Sequence, residues 1–231
     1  MMFFWDPTYI LIFPAMLFAL WAQSRVQSVF NTYSRVRARS GVSGAEVARH
    51  ILDGSGLSSV RIEQIPGRLQ DHYDPRAKVL RLSPEVYSGS SLAALGVAAH
   101  EAGHAIQHAT GYVPLAIRSS LVPVATFGSN LAFPLFLIGF IFAGTGLEWL
   151  MTLGIWLFVG AVAFSIVTLP VEYDASRRAL TLLRHGGYMT TDELRHASQV
   201  LSAAGMTYLA ATAVAVTQLL RLLILRGSRR D

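Results

Sequence analysis

The chain has no cysteine and little charge. Without thiols it can build neither a disulfide scaffold nor a thiolate metal site. Its 19 basic and 14 acidic side chains make up 14% of 231 residues, against about 25% in an ordinary soluble domain. A freely soluble enzyme and a disordered tail protein are both disfavoured. Lysine is almost missing as well: Lys78 stands alone, so the net charge of +5 is carried by arginine. A nucleic-acid binder would gather those arginines on one face between aromatics. Here several sit just beyond apolar stretches, so they read as topology determinants and no nucleic-acid partner is expected. Internal repeats and low-complexity segments are also lacking.

What the chain does have is apolar length. Four windows, 7–24, 119–147, 149–171 and 197–220, contain no Asp, Glu, Lys or Arg. Each is long enough for a helix to cross roughly 30 Å of hydrocarbon. The expectation is an α-helical membrane protein with three or four transmembrane helices and a small α+β part facing water. The first window lacks a basic leader and reads as a signal anchor, 1–24. Arg25, Arg35, Arg37 and Arg39 follow it, which places the N-terminus outside and the segment 25–118 in the cytoplasm. The second and third windows form a transmembrane hairpin, 119–170, around the short turn Gly144-Thr-Gly-Leu-Glu148. Arg177, Arg178 and Arg184 put the next segment, 171–203, back in the cytoplasm. The last segment, 204–231, is an apolar helix with a basic tail. Because Arg221, Arg226, Arg229 and Arg230 lie at its far end, it is either a true span or a membrane-associated helix whose arginines snorkel.

Within 25–118, Ser43-Gly-Ala-Glu46 is a capping box that opens a helix ending at Gly54 or Gly56. Val60 to Ile65 alternates in polarity, Pro66-Gly67 breaks it, and Gln70 to Tyr73 and Lys78 to Leu82 flank the turn Asp74-Pro-Arg-Ala77. This predicts a short antiparallel sheet. Ser83-Pro84-Glu85 starts a further helical turn, and 92–109 reads as a helix closed by Gly111.

That helix carries His100-Glu101-Ala-Gly-His104. Imidazoles at i and i+4 lie about 40° apart around the axis and one turn apart along it, so both can reach one Zn²⁺. Glu101 is offset enough to reach a water instead of the metal, the position of a general base. Gly103 costs about 1 kcal/mol in a helix relative to Ala, and either admits a close neighbour or is a plain packing glycine. His108 continues the row, but three such residues span about 12 Å, too far for one tetrahedral ion. A metzincin continuation would need Gly at 107 and His at 110, where this chain has Gln107 and Thr110. The third ligand must come from elsewhere. Glu148 falls on the wrong side of the membrane by the topology above. Glu172, in Pro170-Val-Glu-Tyr-Asp-Ala-Ser-Arg-Arg178, is either an interfacial charge or the missing ligand, and a zinc helix on the same face favours the ligand. Asp174 points about 200° away from Glu172 on a helix and has Arg178 at i+4 as a salt-bridge partner.

His-Glu-Ala-Gly-His-Ala-Ile-Gln, Pro-Val-Glu-Tyr-Asp-Ala-Ser-Arg-Arg-Ala and Asp71-His-Tyr-Asp-Pro closely resemble the YugP-like neutral zinc metallopeptidases, small bacterial membrane proteins, over about residues 3–226. More distantly the chain is similar to the HtpX-type membrane gluzincins, in which Glu-x-x-Ala-Asp supplies the third ligand and an orienting acid. The resemblance implies a zincin-like fold, one Zn²⁺ and Glu172 as ligand. Ala175 matches the distant pattern, whereas Ser176 replaces its Asp and leaves the orienting carboxylate unassigned, with Asp174 as a candidate.

The sequence therefore leads to a membrane-embedded zinc endopeptidase of the bacterial cell membrane, cutting peptides or membrane proteins at the cytoplasmic surface. Its metal set is His100, His104 and Glu172, and Glu101 is its base. Tyr208, His196, His185 and the Arg177/Arg178 pair are candidate oxyanion donors. Lys78 to Leu82 is a candidate edge strand for an extended substrate, with Asp71, His72 and Asp74 near the cleft. The competing expectation is a zinc-stabilised membrane scaffold or adaptor without proteolysis, which would need a closed site and no base.

Overall fold

The computed structural model describes residues 7–228. Residues 1–6 of the expected anchor and Arg229, Arg230 and Asp231 of the basic tail lie outside the described residues. The elements in chain order are α1 (Tyr9–Tyr33), α2 (Gly44–Gly54), β1 (Arg61–Gln64), β2 (His72–Asp74), β3 (Val79–Leu82), α3 (Pro84–Tyr87), α4 (Leu92–Ala109), α5 (Val113–Ile141), α6 (Trp149–His185) and α7 (Thr191–Gly227). The fold is mostly helical with one small sheet. Helices α1, α5, α6 and α7 are long and apolar enough to cross a membrane. At 37 residues each, α6 and α7 run about 55 Å, well beyond a hydrocarbon core of roughly 30 Å. The charged segment after 171 is thus no separate element. It is the continuation of α6 and the first turns of α7.

The chain divides into two compact units. One comprises 23–115 and 170–206. Its core draws Phe30, Leu52, Leu80, Leu82, Leu95, Leu183, Ala197 and Leu201 into one cluster. Helix α4 is central in this unit because small residues line it almost all round: Ala93, Ala94, Gly96, Ala98, Ala99, Ala102, Gly103 and Ala105 are buried or nearly so. Neighbouring backbones can therefore come close. A β-carbon on Gly96 would meet that of Ala197 on α7 at 3.6 Å, and one on Gly103 would lie 2.9 Å from the Ala175 carbonyl oxygen on α6. The second figure settles the role of Gly103, since no larger residue fits without moving a backbone.

Local signals formed as the sequence predicts. Ser43 and Glu46 cap α2 reciprocally. The Ser91 hydroxyl accepts from the Ala94 N–H to start α4, which ends before Gly111 at φ +64°. Ser83 differs: it precedes α3 without capping it, and its hydroxyl donates to Asp71 instead.

The sheet corrects two expectations. Its strand order is β1-β3-β2, antiparallel between β2 and β3 but parallel between β1 and β3, so it is mixed. Val79–Leu82 is the central strand, not an edge. The reason is burial: Val79, Leu80 and Leu82 are fully inaccessible, whereas β1 and β2 are partly exposed along their length. The most apolar strand takes the middle, and the break at Pro66-Gly67 lets the chain cross to its far side before the β2–β3 hairpin.

The other unit comprises 1–22, 116–169 and 207–231. Glycines again set the helix contacts. A β-carbon on Gly128 would meet the Leu157 carbonyl, and one on Gly154 the Ala132 carbonyl, so α5 and α6 pack closely as small residues allow in spans. Phe136, Met151, Ile155, Leu222 and Leu225 form a cluster that brings the end of α7 to the α5–α6 turn. Arg221 is buried, donates to the Thr8 hydroxyl at 3.1 Å and lies over the Tyr9 ring. The start of α1, the α5–α6 turn and the end of α7 therefore share one end of this unit.

Candidate metal centre

Two helices of the first unit, α4 and α6, supply the site. His100 and His104 stand one turn apart on α4, their rings edge to face at 4.7 Å between centroids. The end of α6 that carries Glu172 packs against α4 through Gly103 and Ala175. Glu172 Oε2 lies 3.2 Å from His100 Nε2 and 3.5 Å from His104 Nε2. Among the described residues these three form one group whose ligand atoms all fall within 4.8 Å of one another. All three are buried or nearly so.

The far ring nitrogens are also occupied. His100 Nδ1 faces the Ser176 hydroxyl at 3.1 Å, and His104 Nδ1 faces Gln107 Oε1 at 3.0 Å. Both Nε2 atoms are thereby turned toward Glu172. Two imidazoles presenting Nε2 and one carboxylate form a donor set suited to Zn²⁺.

Glu101 is only 8% exposed, and burial raises its carboxyl above the usual carboxylate range, with the charges of Glu172 and Asp71 acting in the same direction. A carboxyl raised in this way binds a proton more readily than a surface glutamate, the direction that suits a group that must take and return one.

The remaining candidates separate clearly. Asp174 is buried but does not approach the histidines. It accepts from Gln107 Nε2 at 2.9 Å and pairs with Arg177 and Arg178. Those two arginines are thus engaged by Asp174. Asp71 accepts from the Ser83 N–H at 2.7 Å and from its hydroxyl. Asp74 accepts from the N–H groups of Arg76 and Ala77 and pairs with Arg81, which is the chemistry of a hairpin turn. His72 is exposed on β2, with Nδ1 against the Gln70 carbonyl. His196 stacks on Tyr33 at 4.9 Å, and His185 is exposed at the last turn of α6. Tyr208 belongs to the other unit. Among the described residues, neither His196 nor His185 joins the group of His100, His104 and Glu172.

Two residues were not foreseen. Ser176 puts a hydroxyl where the distant pattern has an acid, four residues after Glu172. Gln107, three residues after His104 and fully buried, stands in the sequence both as the last residue of the resembling motif and as a departure from the metzincin pattern, with no role attached to it. Spacing alone offered a signal for both, since i+3 and i+4 neighbours share a helix face.

Comparison with known proteins places the chain in a family described as zinc peptidases. The family model described as "Putative neutral zinc metallopeptidase" matches residues 8–227. The "Putative membrane protease YugP" of Bacillus subtilis (strain 168) is 45% identical over 213 residues, covering 92% of this chain and 93% of that protein. No solved structure matches. With a family match running through all of its described helices, α4 and α6 among them, the chain belongs to the family of putative neutral zinc metallopeptidases.

Proposed function

We propose that the protein is a membrane-embedded, gluzincin-like zinc endopeptidase that cleaves peptides or membrane proteins at the cytoplasmic face of a bacterial cell membrane. The observation that carries this reading is the convergence of His100, His104 and Glu172 beside a buried glutamate that is not one of the three.

His100 and His104 would hold Zn²⁺ through Nε2, and Glu172 through a carboxylate oxygen. When bound, the ion supplies Lewis acidity toward the scissile carbonyl and lowers the pKa of water toward about 7. Glu101 takes the proton of the attacking water and delivers it to the leaving amine. Ser176 and Gln107 keep the two imidazoles facing the same point. Asp71 lies close enough for its charge to act on Glu101, and it adjoins β2, an edge strand. That edge, in place of the buried β3, is the strand an extended peptide could join.

A purely structural zinc site would need four closed ligands. The three-residue group and a separate buried acid favour the enzyme over the scaffold reading. Purified full-length protein should hold about one zinc per chain by elemental analysis and cleave casein or a labelled peptide, with both lost after chelation. His100→Ala, His104→Ala and Glu172→Ala should each lose the metal. Full zinc occupancy in any of these variants would remove the site as drawn.

A further inference from the structure

The two histidines are held differently. Ser176 offers His100 a hydroxyl, which can donate or accept and leaves the imidazole tautomer open. Gln107 offers His104 no such choice. Its amide nitrogen donates to the Val171 carbonyl and to Asp174 Oδ2, both at 2.9 Å. Both N–H bonds are therefore spent on acceptors that cannot donate, and the carbonyl end must face His104 Nδ1 at 3.0 Å. A carbonyl there accepts, so His104 carries its proton on Nδ1 and leaves the Nε2 lone pair free.

The same side chain reaches across to α6 at two points. One is the carbonyl of the residue immediately before Glu172; the other is Asp174, itself gripped by Arg177 and Arg178. Gln107 is fully inaccessible, so none of these bonds competes with bulk water. Resting on the zinc reading above, we propose that Gln107 is the positioning residue of the metal centre. It sets the His104 tautomer and locks the register of the helix carrying Glu172 against the helix carrying His104. Asp174 acts through Gln107 to fix the direction of its amide.

The test uses the purified full-length protein. Zinc affinity is measured by competition with a chelator, and the absorption spectrum of the Co²⁺-substituted protein reads ligand geometry independently of activity. Gln107→Met keeps the length and removes all three bonds. It should weaken zinc about 10- to 100-fold and alter the cobalt spectrum. Gln107→Glu sets a carboxylate against Asp174 and should weaken zinc further. Adding Asp174→Asn to Gln107→Glu supplies an amide donor from the other side and should recover part of the loss.

A folded Gln107→Met protein with wild-type zinc affinity and cobalt spectrum would overturn the inference. So would zinc loss that only tracks a lower melting temperature, with an unchanged spectrum. If the Met variant does not fold, the Glu variant and its Asp174→Asn partner decide, and absence of recovery overturns the proposal. Failure of the wild type to bind zinc would instead remove the metal reading itself, and this inference with it.

Discussion

The carbonyl oxygen of Ala175 lies 2.9 Å from where a β-carbon on Gly103 would stand, and this approach puts Glu172 beside His100 and His104. Alanine is preferred over glycine in a helix by about 1 kcal/mol, so propensity alone favours Gly103→Ala. The contact is backbone against side chain, however, and the carbonyl cannot rotate away. Gly103→Ala should lower the melting temperature and weaken zinc by forcing α6 outward. Gly96→Ala is the control, because its β-carbon would meet Ala197 at an ordinary 3.6 Å. It should be neutral or stabilising and keep its zinc. Equal gains in stability from both variants would show that the α4–α6 contact is not tight.

Glu101→Gln separates chemistry from metal binding. Glutamine has nearly the same volume but cannot accept the proton of the attacking water. Zinc content should stay at the wild-type level while peptide turnover falls by about 10²-fold or more. Retained turnover would place the base elsewhere, and lost zinc would make Glu101 part of the metal set.

Asp71 gives a pH test with a definite sign. Burial raises its carboxyl, against the lowering effect of the Ser83 N–H and hydroxyl. Between the ordinary carboxylate value and the raised one, the folded chain binds more protons here than the unfolded chain does. This group's contribution to stability therefore rises as pH falls through that window. Asp71→Asn keeps an acceptor for Ser83 and does not titrate. The difference in melting temperature between the two proteins should shift in favour of the wild type as pH drops from about neutral toward about 4. A difference that stays flat would mean that the charge of Asp71 is fully compensated.

How far the sequence led depended on the range of each interaction. The capping box at Ser43 and the extent of α4 are local, and they formed as expected. Glu172 is legible as the acid that shares a membrane face with α4, and the structure brings it to His100 and His104. The sheet order depends on which strand is buried by distant helices, and alternation within β1 or β3 does not reveal that. Gln107 and Ser176 escaped for the same reason. The α6 partners of Gln107 and the histidine partner of Ser176 lie 64 to 76 residues away in the chain, so only the packed helices show which end of the Gln107 amide faces His104 or that a hydroxyl replaces an acid.

Arginines at both ends of α7 leave the sequence rule in conflict, since one set must be exported if the helix crosses. Within its unit, Arg221 meets Thr8 and Tyr9, and Leu222 and Leu225 pack with Phe136 and Met151. The end of α7 thus lies with the start of α1 and with the α5–α6 turn, as a full span would place it. Arg25 to Arg39 lie in the second half of α1 and just beyond it, and Arg177 to Arg184 in the last turns of α6, and together they outweigh the tail. Both ends of the chain and the α5–α6 turn should then face outward, with Arg221 sheltered by its aromatic and hydroxyl partners. The cysteine-free chain allows a direct test by single-cysteine labelling with an impermeant thiol reagent. Thr145→Cys and Ser228→Cys should react in intact cells, and Ser90→Cys and His185→Cys only after permeabilisation. Labelling of Ser90→Cys and His185→Cys from opposite sides would separate α4 from the end of α6 and break the metal site. A Ser228→Cys that reacts only after permeabilisation, with Thr145→Cys accessible, would show that α7 does not cross.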